Sequence, residues 1–268
     1  MTSRSSRYYD TGRGRPTVLI HAFPLSADQW RPVLEAPPDG VRLIAPNLRG
    51  FRGLAEAPRA KADEESLTMA DYASDVLELM DRLEIRDATV CGVSMGGYVA
   101  FAMMRLAAER VSGLVLAHTR ASADTPASRE GRDRMIALAR AEGPPAIARE
   151  MVPKLLGATT LRERPDVVAT TRALIEANTT EAIVAALGAL KTRPDSTPLL
   201  PTIQCPTTIV HGEEDTIVPL ADAETMHHGI AGSRLIVVPQ AGHIEGAVGL
   251  FHSFAGFGAR GREGPPVL

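Results

Sequence analysis

Lysine is almost missing from this chain: Lys61, Lys154 and Lys191 are the only three, so arginine carries nearly all the basic charge. The arginines are scattered rather than striped, and the formal net charge is −3. Such a chain has no global attraction to nucleic acid or to an anionic membrane, and neither is expected as a partner. Cysteine is equally scarce. Cys91 and Cys205 each lie in or beside an apolar strand-like run, the usual place of a small core residue, and no disulfide framework is implied. No apolar stretch approaches the roughly 18–20 residues of a membrane-spanning helix. The first ten residues are polar and lack the apolar centre of a secretory signal, so a cytoplasmic setting is expected. Metal-ligand spacing is missing too. His227 and His228 are adjacent on a predicted helix, diverge from one another, and have no third ligand nearby. Neither a metal nor a cofactor is expected.

What is present suits a globular chain with a core of useful size: 268 residues, 44% hydrophobic and 23% charged. Continuous apolar runs at 17–21, 41–45, 88–91, 111–117, 207–211 and 234–238 read as strands buried on both faces, with a short edge strand through Arg7, Tyr8 and Tyr9. Between them lie helical patterns. Residues 67–83 place Met69, Tyr72, Ala73, Val76, Leu79, Met80 and Leu83 on one face, with Ser66 or Thr68 as cap and Asp71 in the first turn. Residues 220–228 and 244–257 read as further helices. The connection from Asn47 to Ser66 is longer than a routine loop.

From about residue 120 to 200 the strand-like runs stop, and alanine, arginine and glutamate dominate between prolines. Helices are expected near 126–141, 144–156, 165–177 and 180–191, as an insertion. The expected division is a core of 1–119 with 201–260, a helical cap of 120–200, and a disordered tail at 261–268. Strands alternating with helices imply an α/β fold, a mainly parallel sheet flanked by helices, with its ligand site at the carboxyl ends of the strands.

Gly92-Val93-Ser94-Met95-Gly96 lies between one such strand and a helical run starting near Tyr98. A strand-to-helix turn this tight requires the outer glycines and lifts a serine hydroxyl out of the backbone. By itself the string fits a glycine-rich turn with an incidental serine equally well. Its neighbours at successive strand ends tip the balance. Gly212-Glu213-Glu214-Asp215 ends one strand, and Ala241-Gly242-His243 follows the last. Alone, Asp215 reads as a surface turn residue and His243 as a helix-start histidine. In the order Ser94, Asp215, His243 they supply a nucleophile, an orienting carboxylate and a base. His21-Ala22-Phe23-Pro24 ends an earlier strand. The backbone N–H groups of Phe23 and Met95 are the candidate donors to an oxyanion, and His21 is expected to bond within its own loop.

In these residues the sequence resembles the α/β-hydrolase superfamily with a helical cap, and in particular bacterial 3-oxoadipate enol-lactonase-like hydrolases and esterases. The resemblance rests on His21-Ala22-Phe23-Pro24-Leu25-Ser26 with Trp30, on Ala45-Pro46-Asn47-Leu48-Arg49-Gly50-Phe51, on the Ser94 turn through Gly97, on 212–215 and on 241–243. It implies a largely eight-stranded sheet and a small ester or lactone as substrate, cleaved through an acyl-Ser94 intermediate. Leu25, Trp30, Arg120, Val218 and Ile244 are the candidate substrate-binding residues. The same triad would also serve carbon–carbon, thioester or perhydrolysis chemistry, and a non-catalytic ligand receptor is a further alternative. The oligomeric state, monomer or homodimer, is open. The chain departs from the family pattern at Ala22, Asn47, Arg52-Gly53-Leu54, His118 and the segment 244–252 after His243. A serine at the turn argues against epoxide hydrolases and haloalkane dehalogenases, which place aspartate there.

Overall fold

A computed structural model describes residues 8–53 and 67–245. Seven strands form one sheet in the order β1-β3-β2-β4-β5-β6-β7. They are β1 (Tyr8–Gly12), β2 (Arg15–Ile20), β3 (Val41–Pro46), β4 (Ala88–Val93), β5 (Val111–Ala117), β6 (Thr207–Gly212) and β7 (Arg234–Val238). Only β1 runs antiparallel, along β3; every other neighbouring pair is parallel. Each strand read from the sequence is present. The eighth strand implied by the resemblance is not among the described residues.

Central strands are apolar on both faces because helices cover both. Val18, Leu19, Ile20, Val90, Cys91 and Leu116 are fully buried. Burial pushes the Cys91 thiol well above its ordinary range, as befits a packing residue. The helices flanking the amino-terminal half of the sheet are α1 (Arg31–Glu35), α2 (Met69–Arg82) and α3 (Met95–Ala107). Thr68, rather than a residue further upstream, caps α2. Its hydroxyl accepts from the Asp71 N–H, and Asp71 returns the bond by accepting from the Thr68 N–H, a complete capping box. Ser66, the other candidate cap, lies outside the described residues.

Between β5 and β6 come five helices: α4 (Pro126–Glu142), α5 (Pro144–Leu155), α6 (Ala158–Glu163), α7 (Pro165–Glu176) and α8 (Thr180–Thr192). Four of them start where the sequence signals a start. Thr125 and Thr179 are side-chain caps, and Pro126, Pro144 and Pro165 occupy first turns. The six-residue α6 was not expected, being too short to show a helical period. A buried ion pair anchors this segment. Arg193 lies 2.6 Å from Asp124 and stacks over the Tyr98 ring of α3 at 4.1 Å, while Arg132 reaches the other Asp124 oxygen at 3.1 Å. Helix α9 (Leu220–Gly229) then precedes β7. The final helix expected over 244–257 and the tail at 261–268 lie outside the described residues, apart from the turn through Glu245. No single described helix is long and apolar enough to cross a membrane.

Candidate active site

Ser94 sits between β4 and α3 with φ 52° and ψ −111°, a backbone conformation uncommon for any residue but glycine. Its surroundings hold it there. The Ser94 N–H donates to the Ala117 carbonyl at 2.8 Å, and the Ser94 carbonyl accepts from the Gly97 N–H and the Thr119 hydroxyl, each at 2.9 Å. A Cβ on Gly92 would run into the Gly96 carbonyl, and one on Gly96 into the Ile20 carbonyl of β2. The glycines are there because strand, helix and neighbouring strand meet at main-chain contact distance.

The hydroxyl that this turn presents lies 2.8 Å from His243 Nε2. On the other edge of the ring, His243 Nδ1 faces both Asp215 oxygens, at 3.0 and 2.9 Å. Asp215 is fixed in turn by its own loop, Oδ1 accepting from the Ile217 and Val218 N–H groups at 2.9 and 3.0 Å. Burial alone would raise the Asp215 carboxyl. Hydrogen bonds from His118 and His243, the charge of His243 and the Val218 N–H together hold it well below the usual carboxylate range. The chain of hydrogen bonds therefore ends on a permanent anion, with the Asp215 side chain wholly buried.

Met95 opens α3, so its N–H has no partner within the helix. Phe23 lies in the loop after β2, which is pinned from several sides. The Ala22 N–H donates to Gln29 Oε1 at 2.9 Å, and the Leu25 N–H donates to the Ala22 carbonyl at 2.9 Å. His21 bonds inside this region as expected: its Nε2 accepts from the Leu48 N–H at 3.1 Å and its Nδ1 meets the Ala22 carbonyl at 3.0 Å. Full burial pushes it down to about 4, so it is neutral. Asn47 contributes here too, its Oδ1 accepting from the Ala27 N–H at 2.9 Å.

The remaining candidates are distributed around this centre. Val218 and Ile244 each stand beside a member of the chain of hydrogen bonds and are buried; the Ile244 N–H donates to the Leu155 carbonyl of α5 at 3.2 Å. Leu25 and Trp30 are buried in the core cluster. Arg120 is turned toward α9 and its approach. It donates to the Ile217 carbonyl at 3.3 Å and lies 3.7 Å from Asp222.

Several positioning contacts had no signal in the sequence. Asn178, after α7, donates to the Pro24 carbonyl at 2.9 Å and accepts from the Arg52 N–H at 2.8 Å, tying the helical segment to the Phe23 loop. Glu214 accepts from the Thr159 N–H at 2.8 Å and hydroxyl at 2.6 Å, and Glu245 accepts from the Gly157 N–H at 2.9 Å. Both carboxylates are chain neighbours of the centre, Glu214 of Asp215 and Glu245 lying two residues past His243. His118 Nδ1 approaches Asp215 Oδ2 at 3.2 Å. Among the described residues His118, Asp215 and His243 are the trio close enough to hold a metal ion, their ligand atoms lying within 4.8 Å of one another. The polar atoms in question already face one another as hydrogen-bond partners.

The sheet order, the turn at Ser94 and the aligned serine, histidine and aspartate define an α/β-hydrolase. The sequence pattern of the family described as alpha/beta hydrolase fold matches residues 16–245, and the chain belongs to that family and is a hydrolase. It is similar to a thermophilic esterase from Thermogutta terrifontis, at 37% identity and TM-score 0.85 over 93% of this chain and 91% of that one. It also resembles the enol-lactonase from Burkholderia xenovorans LB400, at 26% identity and TM-score 0.80 over 93% of each chain. A 2-hydroxymuconate semialdehyde hydrolase from Pseudomonas sp. is 30% identical over 88% of this chain and 82% of its own.

Proposed function

We propose that the protein hydrolyses a small carboxylic ester or lactone through an acyl-Ser94 intermediate. The observation that carries the reading is the continuous line from Ser94 Oγ through His243 to Asp215, with contacts of 2.8, 3.0 and 2.9 Å. The likeness to an esterase and to an enol-lactonase supports the ester or lactone class.

In this reading Ser94 Oγ attacks the carbonyl carbon while His243 Nε2 takes its proton. His243 keeps its Nδ1–H, which donates to Asp215; the carboxylate fixes the tautomer and offsets the charge of the imidazolium. The tetrahedral oxyanion accepts hydrogen bonds from the N–H groups of Met95 and Phe23. Collapse expels the alcohol or enol oxygen, which takes the proton back from His243. A water then gives a proton to His243 and attacks the acyl carbon; collapse breaks the acyl–Oγ bond, His243 passes the proton to Ser94 Oγ, and the acid is released. With a lactone the leaving oxygen stays tethered, and the product is one ring-opened acid. Helices α4–α8 would act as the cap over this centre, with Leu25, Trp30, Val218 and Ile244 on its apolar side.

A fluorophosphonate probe is expected to label Ser94. Ser94→Ala is expected to abolish both the labelling and the turnover of p-nitrophenyl acetate. Full turnover in that variant would sink the mechanism. A panel of esters, lactones, thioesters and β-diketones then identifies the bond.

A further inference from the structure

The mechanism above uses one of the two imidazoles that touch Asp215. The other, His118, follows β5 in a left-handed conformation, φ 50°, and is wholly buried. Its Nδ1 lies 3.2 Å from Asp215 Oδ2, the oxygen that His243 Nδ1 meets at 2.9 Å. Its Nε2 is buried with no hydrogen-bond partner among the described residues. This arrangement selects the tautomer. With the proton on Nδ1 the ring donates to the carboxylate and leaves a bare lone pair at Nε2, whereas a proton on Nε2 would be a buried donor with no acceptor. Burial pushes His118 down against the pull of Asp215, with His243 and His211 adding to the depression, so the ring is neutral.

We propose that His118 is a positioning residue for the reaction, a neutral donor that sets the plane of the Asp215 carboxylate. The proposal rests on Asp215 being the orienting carboxylate of the triad. Two backbone N–H groups hold Oδ1. One anchored oxygen leaves the carboxylate free to swing, because the torsion to a planar group is broad. The bond from His118 anchors the second oxygen and keeps both facing His243 Nδ1. A neutral ring does so without placing another positive charge beside the imidazolium that forms on His243; lysine or arginine at this position would add one. Strand β5 pairs with β6 in parallel, bringing position 118 to the loop that carries Asp215.

The test compares His118→Leu, which keeps bulk and removes the donor, with His118→Asn, which keeps a side-chain N–H and suits a left-handed backbone. Losing one hydrogen bond to a charged group corresponds to a fall of about 10- to 100-fold in kcat. His118→Leu is expected to show that fall on p-nitrophenyl acetate with KM unchanged, and fluorophosphonate labelling of Ser94 should slow in parallel. His118→Asn is expected to retain most of the wild-type kcat. If the leucine variant folds poorly, His118→Ala carries the comparison. Equal kcat for donor and non-donor variants overturns the proposal, as does loss expressed only in KM or in Tm. Activity that disappears with EDTA and returns with Zn2+ also overturns it, since the trio would then be a metal site. Ser94→Ala and Asp215→Asn run beside them. If those two are inactive while His118→Leu matches wild type, the positioning role fails and the triad reading stands. If Ser94→Ala turns over normally, the triad reading itself has failed.

Discussion

Acid should weaken this fold through His21, and the size of the effect follows from its surroundings. The ring is fully buried, packs edge-on against Phe51 with centroids 4.9 Å apart, and uses Nε2 as an acceptor for the Leu48 N–H. Protonation would convert that acceptor into a donor facing a donor, inside an apolar wall. Burial accordingly pushes the ring from 6.5 down to about 4, against a weaker opposing hydrogen bond to the Ala22 carbonyl. A histidine depressed on folding binds fewer protons in the native state than in the unfolded chain. Its contribution is complete above the unfolded value of 6.5 and is lost as the pH falls toward 4. That interval corresponds to about 3 kcal/mol in all, and about 2.5 kcal/mol by pH 4.5. The perturbation is His21→Gln, which preserves an acceptor and does not titrate. Trp30 is the sole tryptophan and is fully buried, so its fluorescence reports urea unfolding of both proteins. His118, His211 and Asp215 titrate in both and cancel from the comparison. At pH 7.5 the variant is expected to be the less stable of the two, and the gap should close by about 2.5 kcal/mol on going to pH 4.5. A gap that stays constant over that range would refute the argument.

Three further outcomes follow from contacts already described. Gly96→Ala forces a Cβ onto the Ile20 carbonyl, and because backbone cannot yield as a side chain tip does, it is expected to abolish soluble expression or hydrolase activity. Asp124→Asn leaves Arg193, whose side chain is 3% exposed, without its counter-charge; the expected loss is about 3 kcal/mol in urea unfolding. Thr68→Ala removes half of the α2 capping box and should cost about 1 kcal/mol in urea unfolding.

Much of this architecture is legible in the sequence because its causes are local. A strand buried on both faces must be a short apolar run, and Thr125, Pro144 and Pro165 mark helix starts through backbone constraints that act within one turn. The Ser94 turn is legible because only glycine fits at 92 and 96. What escaped has non-local causes. Helix α6 is too brief for a period, and its place is set by Glu214 and Glu245, which lie far from it in the chain. His118 stood out as unusual, but its bond to Asp215 exists only because β5 and β6 are neighbours in the sheet. Asn178 reaches the Phe23 loop across 154 residues. Arg120, a candidate substrate-binding residue, lies against Asp222 and the Ile217 carbonyl, contacts set by the fold rather than by chain neighbours.

The contact at Gly157 bears on how such enzymes can be recombined. A Cβ on Gly157 would run into Glu214, and one on Gly242 would run into the Gly157 backbone. The turn between α5 and α6 is thus moulded to the loops carrying Asp215 and His243, and the carboxylates beside those residues close the joint. Helices transplanted here from a relative would bring their own turn but not its counterpart. Grafts cut only at the ends of the helical segment should inherit a misfit at the centre, and those that also carry positions 214, 242 and 245 should avoid it. The helical segment of this chain is therefore not a detachable part. It is sewn to the loops carrying Asp215 and His243 by carboxylates that accept from its main-chain N–H groups, and the two have to be inherited together.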